Sequence, residues 1–307
     1  MISISVIICT HNPKESYLAK VLEGLRQQTL AHEFWEILLV DNASSESLCE
    51  KLSLGPQPKS RCISEPKVGL LNARICGISQ AKGDILVFVD DDNVLDKTYL
   101  ELVFKIASEN KDLGAWGGQT LPEFEETPPA WTERYWSLIG VRTFEKDSIS
   151  SKMHWPATPI GAGLCIRRDV AMKYIQLIQQ DTSRLMLGRK ANMLLGSEDL
   201  DLAYTAIDMG LKIATFKDLR LHHLIPKSRL SEDYFAKIAC GTEFSSIILT
   251  YLRDKRIARI SLLERLRIYI PWLLNREYWF ADRITRKIGS AATQGRLAAM
   301  RRILQIN

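Results

Sequence analysis

The chain has 307 residues, 46% of them hydrophobic and 25% charged, a balance that suits a soluble globular protein and excludes low-complexity and collagen-like chains. Its net charge of +5 is uneven, because residues 253–307 hold 13 Lys/Arg against 4 Asp/Glu, a net of +9 that leaves about −4 for residues 1–252. No apolar run nears the ~20 residues of a spanning helix, and the chain opens without a basic leader or cleavage site, so a cytoplasmic protein is expected.

Apolar segments predict strands at Ser3–Cys9, Glu36–Val40, Ile85–Val89, Gly114–Leu121, Gly163–Arg167 and Lys212–Phe216. Between them, Ser16–Gln28, Val68–Ala81, Thr98–Glu109 and Glu198–Met209 carry the spacing of amphipathic helices. Such alternation predicts an α/β fold: a mostly parallel sheet with helices on both faces. Ligands of these sheets bind beyond the carboxyl ends of the strands. Thr10-His11-Asn12, Asp41-Asn42 and Asp90-Asp91-Asp92 each follow a predicted strand directly, so they are expected on one rim.

From Phe124 to Pro159 the chain is rich in Trp, Pro and Glu and lacks periodicity. It reads as irregular loops, either a lid that contacts substrate or aromatics anchored on the core. The six cysteines (Cys9, Cys49, Cys62, Cys76, Cys165 and Cys240) show no C-x-x-C and no paired spacing. Three of them lie in apolar segments, which favours buried free thiols in a reducing compartment over disulfides or zinc.

Three carboxylates at a strand tip repel one another unless a cation sits among them. A divalent ion carrying a phosphorylated ligand answers that repulsion; an acidic turn is the plainer alternative. No G-x-G-x-x-G follows the first strand and no G-x-x-x-x-G-K-[ST] occurs anywhere, which excludes dinucleotide and P-loop sites. The Gly-rich arginine loop of sugar-nucleotide pyrophosphorylases is absent as well. What remains is a nucleotide site built from carboxylates, short polar turns and a metal.

Val6-Ile7-Ile8-Cys9-Thr10-His11-Asn12, Val40-Asp41-Asn42-Ala43-Ser44 and Phe88-Val89-Asp90-Asp91-Asp92 together resemble a family 2 glycosyltransferase of GT-A (Rossmann-like) fold. Gly69-Leu70-Leu71-Asn72-Ala73-Arg74, Gly161-Ala162-Gly163 and Gly196-Ser197-Glu198-Asp199-Leu200-Asp201 extend the likeness in the family's order over about residues 3–235. The resemblance implies transfer of a sugar from a nucleoside diphosphate donor, usually a UDP-sugar, with inversion. It places Thr10 and Asn12 around the base and ribose, Asp41 as acceptor from the base, Arg74 on the nucleotide and Asp90 near the ribose. Asp92 would bind Mn²⁺ or Mg²⁺, with His223 completing the metal shell. Asp91 takes the variable middle position of the D-x-D motif and reads equally as a solvated turn residue.

By the same resemblance Asp199 is the general base, with Glu198 beside it holding the acceptor or the loop. Glu198-Asp199 also reads as ordinary acidic charge in the first turn of a helix that Ser197 caps. Gly161 reads as a turn that lets backbone approach the sugar or acceptor, or as a plain strand entry. His11 stands where the family commonly has an aromatic residue, a change compatible with base stacking. A D-x-D phosphohydrolase fits less well, since its aspartate starts the domain and its later lysine motif is missing. A catalytically silent relative that serves as a membrane-bound scaffold stays open.

The chain thus divides into a catalytic domain, 1–235, and a basic helical extension, 236–307. Ile257–Leu274 and Tyr278–Ile288 mix Arg/Lys with Leu, Ile and aromatics as basic amphipathic helices do. They would lie on the anionic inner face of the plasma membrane, with Trp272, Trp279 and Phe280 among the headgroups, or else pack on the catalytic body. Membrane contact would bring the enzyme to a saccharide or polyprenyl-linked acceptor in bacterial surface polysaccharide assembly. No nucleic-acid module is recognisable, so no nucleic acid is expected.

Overall fold

The computed structural model describes residues 2–52, 54, 59–188, 194–255 and 281–306. The chain forms two compact units, one from residues 1–127, 140–181 and 199–225, the other from 128–139, 182–198 and 226–307.

The first unit begins with β1 (Ile4–Thr10), α1 (Glu15–Arg26) and β2 (Trp35–Asp41), then α2 (Leu48–Lys51), β3 (Ser60–Ser64), α3 (Leu70–Gln80) and β4 (Ile85–Asp90). It continues through β5 (Asn93–Leu95), α4 (Tyr99–Glu109), β6 (Leu113–Phe124), β7 (Ser148–Ser150), β8 (Cys165–Arg167) and α5 (Arg168–Gln180). Next come α6 (Glu198–Asp208) and β9 (Lys212–Ile225). The strands form one sheet in the order β3-β2-β1-β4-β8-β6-β9-β5, with β7 also on β9.

The block β3-β2-β1-β4 is parallel. Its inner strands β2, β1 and β4 are mostly apolar and buried on both faces, as strands of a parallel sheet are. Beyond it the sheet is mixed: β8 runs antiparallel between β4 and β6, while β6 and β9 are parallel. Alternate residues Ile4, Val6 and Ile8 of β1 join Leu18, Val21 and Leu25 of α1 and Leu100 and Val103 of α4 in one core layer. Ile7 points to the opposite face, where α3 approaches so closely that a Cβ on Gly77 would lie 2.5 Å from the Ile7 side chain. Helices therefore cover both faces. In this register Thr10 pairs with Asp41 and Cys9 with Asp90, which brings the polar strand ends to one rim.

The cysteine expectation needs a correction. Cys49 of α2 and Cys62 of β3 form a disulfide, because the short helix α2 packs against β3 and brings together two positions whose sequence spacing carries no signal. Cys9, Cys76, Cys165 and Cys240 are free.

The second unit centres on α7 (Glu232–Asp254) and α8 (Arg283–Ile306). Ser231 caps α7 by accepting from the Tyr234 N–H. Three cations of α8 are paired to α7: Arg283 with Glu232, Lys287 with Glu232 and Asp233, and Arg296 with Glu243. Cβ-free Gly295 lets the two helices touch at the Cys240 carbonyl. The described part of the basic tail therefore packs as a helical pair. Ile257–Leu274, Trp272, Trp279 and Phe280 lie outside the described residues. Among the described residues no helix is long and apolar enough to cross a membrane. Trp131 and Tyr135 act as anchors, with ring centroids 5.4 and 6.0 Å from that of Phe235 in α7.

Candidate active site

At the ends of β1 and β2 the backbone turns are held by side chains. Asn12, in a left-handed conformation with φ of 50°, accepts through Oδ1 from the Ser45 N–H at 2.8 Å and hydroxyl at 2.9 Å. His11 Nδ1 lies 2.7 Å from the Asn42 carbonyl, so this nitrogen carries the proton. Buried Asp41 accepts from the N–H groups of Ser44 at 3.2 Å and Leu48 at 2.9 Å, one on each oxygen. Each oxygen keeps a lone pair for a ligand donor.

Asn42 next to it is a residue the sequence did not single out for a role. Its amide donates to the carbonyls of Glu65 and Lys67, and its oxygen accepts from the Gly69 N–H. One buried side chain thereby fixes the loop that opens α3, the helix carrying Arg74.

At the end of β4 the three aspartates separate by environment. Asp90 and Asp91 are half-buried and Asp92 is buried. The Thr10 hydroxyl donates to Asp91 Oδ2, so Asp91 is tied to β1 and is more than a solvated turn residue. Asp92 Oδ2 lies 3.4 Å from His223 Nε2, across the antiparallel pairing of β5 with β9. Gly140, with φ of 79°, passes over the His223 ring. Behind the rim, burial pushes the Cys9 thiol up to about 12, so no thiolate competes as a ligand or nucleophile.

Arg74 and Asp199 meet at Gly161. A Cβ there would lie 2.8 Å from Arg74 Nη2 and 3.0 Å from Asp199 Oδ2, and the Gly161 N–H donates to that same oxygen at 2.5 Å. The Arg74 guanidinium lies over the Phe88 ring at 5.4 Å, two residues before Asp90. Gly163 continues the turn with φ of 72°, where its N–H donates to the Phe88 carbonyl and its own carbonyl accepts from the Tyr99 hydroxyl. Asp199 is half-buried near the start of α6, and Glu198, the first residue of that helix, is buried. The Ser197 hydroxyl donates to Ser245 of α7 at 3.1 Å.

The glycosyl transferase family 2 profile matches residues 5–175. The chain belongs to this family.

Among relatives, a polypeptide N-acetylgalactosaminyltransferase 8 of Drosophila melanogaster is 34% identical over 117 residues, 36% of this chain and 19% of the relative. An inactive polypeptide N-acetylgalactosaminyltransferase-like protein 5 of Macaca fascicularis is 34% identical over 113 residues, 35% of this chain and 26% of the relative. The match thus spans about a fifth to a quarter of those relatives. Among solved structures, residues 1–349 of S. aureus TarS in complex with UDP-GlcNAc superpose with a TM-score of 0.54 at 14% identity, covering 98% of this chain and 92% of that one. That likeness is one of fold.

Family 2 implies a divalent ion at the D-x-D motif, and the side chains here suit one. Among the described residues no three His, Cys, Asp or Glu side chains cluster as a self-sufficient metal cage. Asp92 and His223 instead offer two convergent donors at 3.4 Å. Adjacent ligands of an octahedral ion with ~2.1 Å bonds lie about 3 Å apart, and such ions ordinarily take one or two protein ligands plus phosphate oxygens and water.

Proposed function

We propose that this family 2 glycosyltransferase takes a UDP-sugar and transfers the sugar, with inversion, to a saccharide or polyprenyl-linked acceptor. The observation that carries the reading is the convergence of Arg74 and Asp199 on Gly161, beside the strand that ends in Asp90–Asp92. A cation and a carboxylate beside the segment on which nucleotide diphosphates bind in such sheets support a transfer reaction there. The UDP-GlcNAc in the S. aureus structure supports UDP as the nucleotide.

In this reading Thr10, Asn12, Asp41 and Asp90 line the base and ribose, with Asp91 holding the Thr10 hydroxyl in place. Arg74 adds positive charge near the diphosphate. Mn²⁺ or Mg²⁺, held by Asp92 and His223, would offset the negative charge on the leaving diphosphate. Asp199 removes the acceptor hydroxyl proton as that oxygen attacks the anomeric carbon opposite the leaving group. The bond from anomeric carbon to phosphate oxygen breaks, and UDP departs with the electron pair. Buried Glu198 supports the start of α6 and the acceptor side.

The pathway consistent with this chemistry is bacterial surface polysaccharide assembly, with residues 256–280 bringing the enzyme to an anionic membrane surface. That segment supplies Arg256, Arg259, Arg265, Arg267 and Arg276 among Leu, Ile and Trp.

A silent, scaffold-type relative is the second reading, since one similar protein carries the word inactive in its name. Calorimetric titration of UDP, GDP and dTDP with and without Mn²⁺ tests the proposal. Tight UDP binding that needs metal and vanishes in Asp92→Ala is expected. In Asp199→Asn, UDP binding should persist while donor turnover falls about 10²- to 10⁴-fold. UDP binding without turnover of any donor by the native chain would favour the scaffold, and no nucleotide binding at all would sink the transferase reading.

A further inference from the structure

Arg142 lies between β6 and β7, where its backbone exchanges two hydrogen bonds with Thr120. Its guanidinium turns onto residues 155–158. Nη1 donates to the Thr158 carbonyl, and Nη2 donates to the carbonyls of Trp155 at 2.9 Å and Pro156 at 3.0 Å. The same cation stacks on the Trp155 indole at 5.0 Å and on Phe144 at 5.6 Å. Trp155 is 58% exposed, so burial of its ring is not what holds this turn. A planar fork that reaches three carbonyls of one turn is an arrangement a lysine ammonium cannot copy.

The turn is also laced to its surroundings further along. The Thr215 hydroxyl donates to the Pro156 carbonyl at 2.7 Å, and Pro159 packs on the bare Cα of Gly117. The Thr158 hydroxyl lies 3.1 Å from the Tyr204 hydroxyl of α6, and three residues on, the Gly161 N–H reaches Asp199 in the first turn of that helix. Chain held by Arg142 therefore runs directly into the donor that reaches the Asp199 carboxylate from outside its own helix.

We propose that Arg142 is a positioning residue of the transfer reaction: by gripping the Trp155, Pro156 and Thr158 carbonyls it sets the Gly161 N–H, which holds Asp199 for proton abstraction. The catalytic half of this inference rests on the transferase reading. The Asp199 carboxylate is held at both oxygens, Oδ2 by the Gly161 N–H and Oδ1 by the Leu200 N–H at 2.9 Å, so its remaining lone pairs point in fixed directions. Loss of the Gly161 donor leaves the carboxylate with the bond inside its own helix. A general base works only within about 2.6–3.2 Å of its target, and a misplacement of about 1 Å costs up to ~10²-fold in rate.

The test uses the full chain with Arg142→Lys and Arg142→Ala. Hydrogen exchange over 154–162 is compared with that over β1 and β4. Affinity for UDP with Mn²⁺ is measured alongside UDP release from UDP-GlcNAc, UDP-glucose and UDP-galactose. Arg142→Lys should speed exchange in 154–162 alone and leave UDP affinity within about twofold. It should lower turnover at least about tenfold. Millimolar guanidinium should restore part of the turnover of Arg142→Ala.

Native exchange and turnover in Arg142→Lys would overturn the inference. So would parallel losses of UDP affinity, turnover and melting temperature, the pattern of a merely structural residue. A native chain that binds no UDP, beside faster exchange in Arg142→Lys, would instead bring down the transferase reading and the catalytic role together.

Discussion

The Gly161 N–H donates to Asp199 Oδ2 at 2.5 Å, a contact available only because position 161 carries no side chain. An added methyl would lie 2.8 Å from Arg74 Nη2 and 3.0 Å from the Asp199 oxygen, so both groups must give way. Gly161→Ala should therefore fold normally and bind UDP more weakly, because Arg74 must shift. It should lose turnover at saturating donor by about one to two orders of magnitude, as a displacement of this size implies. Native kcat in that variant would separate Asp199 from the chemistry.

Asn42 links two strand-end loops through three hydrogen bonds and is 3% exposed. Asn42→Ala removes three hydrogen bonds to partly exposed backbone groups, at a cost of about 1.5–4.5 kcal/mol, since each is worth about 0.5–1.5 kcal/mol net. Asn42→Asp keeps the acceptor for Gly69 but loses the donors to Glu65 and Lys67. Urea denaturation should rank native above both variants. UDP affinity should fall in each, because the loop they loosen starts the helix that carries Arg74. Unchanged affinity would show that this loop does not shape the nucleotide pocket.

The Cys49–Cys62 bridge closes a loop with a sequence separation of 13 and joins α2 to β3. In the chain-entropy account a loop near 15 residues is worth about 3 kcal/mol. Reduction, or Cys49→Ser, should lower unfolding free energy by roughly 2–3 kcal/mol on that account, while Cys76→Ser under oxidising conditions should not. The effect should reach the pocket, since Leu48 beside Cys49 donates to Asp41. Denaturation midpoints that ignore reductant would argue against a bridge in solution.

These cases mark what the sequence makes legible. Ile4–Ile8 and Ile85–Val89 announce themselves because a buried parallel strand is a continuous apolar run, and its polar end falls on the binding rim by geometry. Asp92, Asp199 and Gly161 are readable as motif residues, though their spatial convergence is not. Edge strand Ser60–Ser64 is half-buried and polar, and β5 and β7 are three residues long, too short for any period to register. Asn42 and Arg142 act through backbone carbonyls, which carry no side-chain code. Arg283 and Arg296 of α8 read as part of a basic face because their acidic partners, Glu232 and Glu243, sit on another helix.

Asp282 precedes α8 and accepts from the Thr285 N–H at 2.8 Å and from Arg134 at 2.7 Å. The backbone donor first, then the guanidinium, hold its carboxyl well below the ordinary 3.8, at about 2. A carboxylate whose folded pKa is depressed contributes stability above its unfolded value and loses that contribution as pH falls through the folded one. Asp282→Asn keeps a side chain able to cap the helix but removes the charge. The native chain should therefore melt above the variant near neutral pH, and the gap should close as pH falls from about 4 to about 2. Melting curves of both proteins across that range decide the matter. A gap of constant size would mean the carboxylate charge is not what secures the start of α8, leaving the neutral cap as the whole of its contribution.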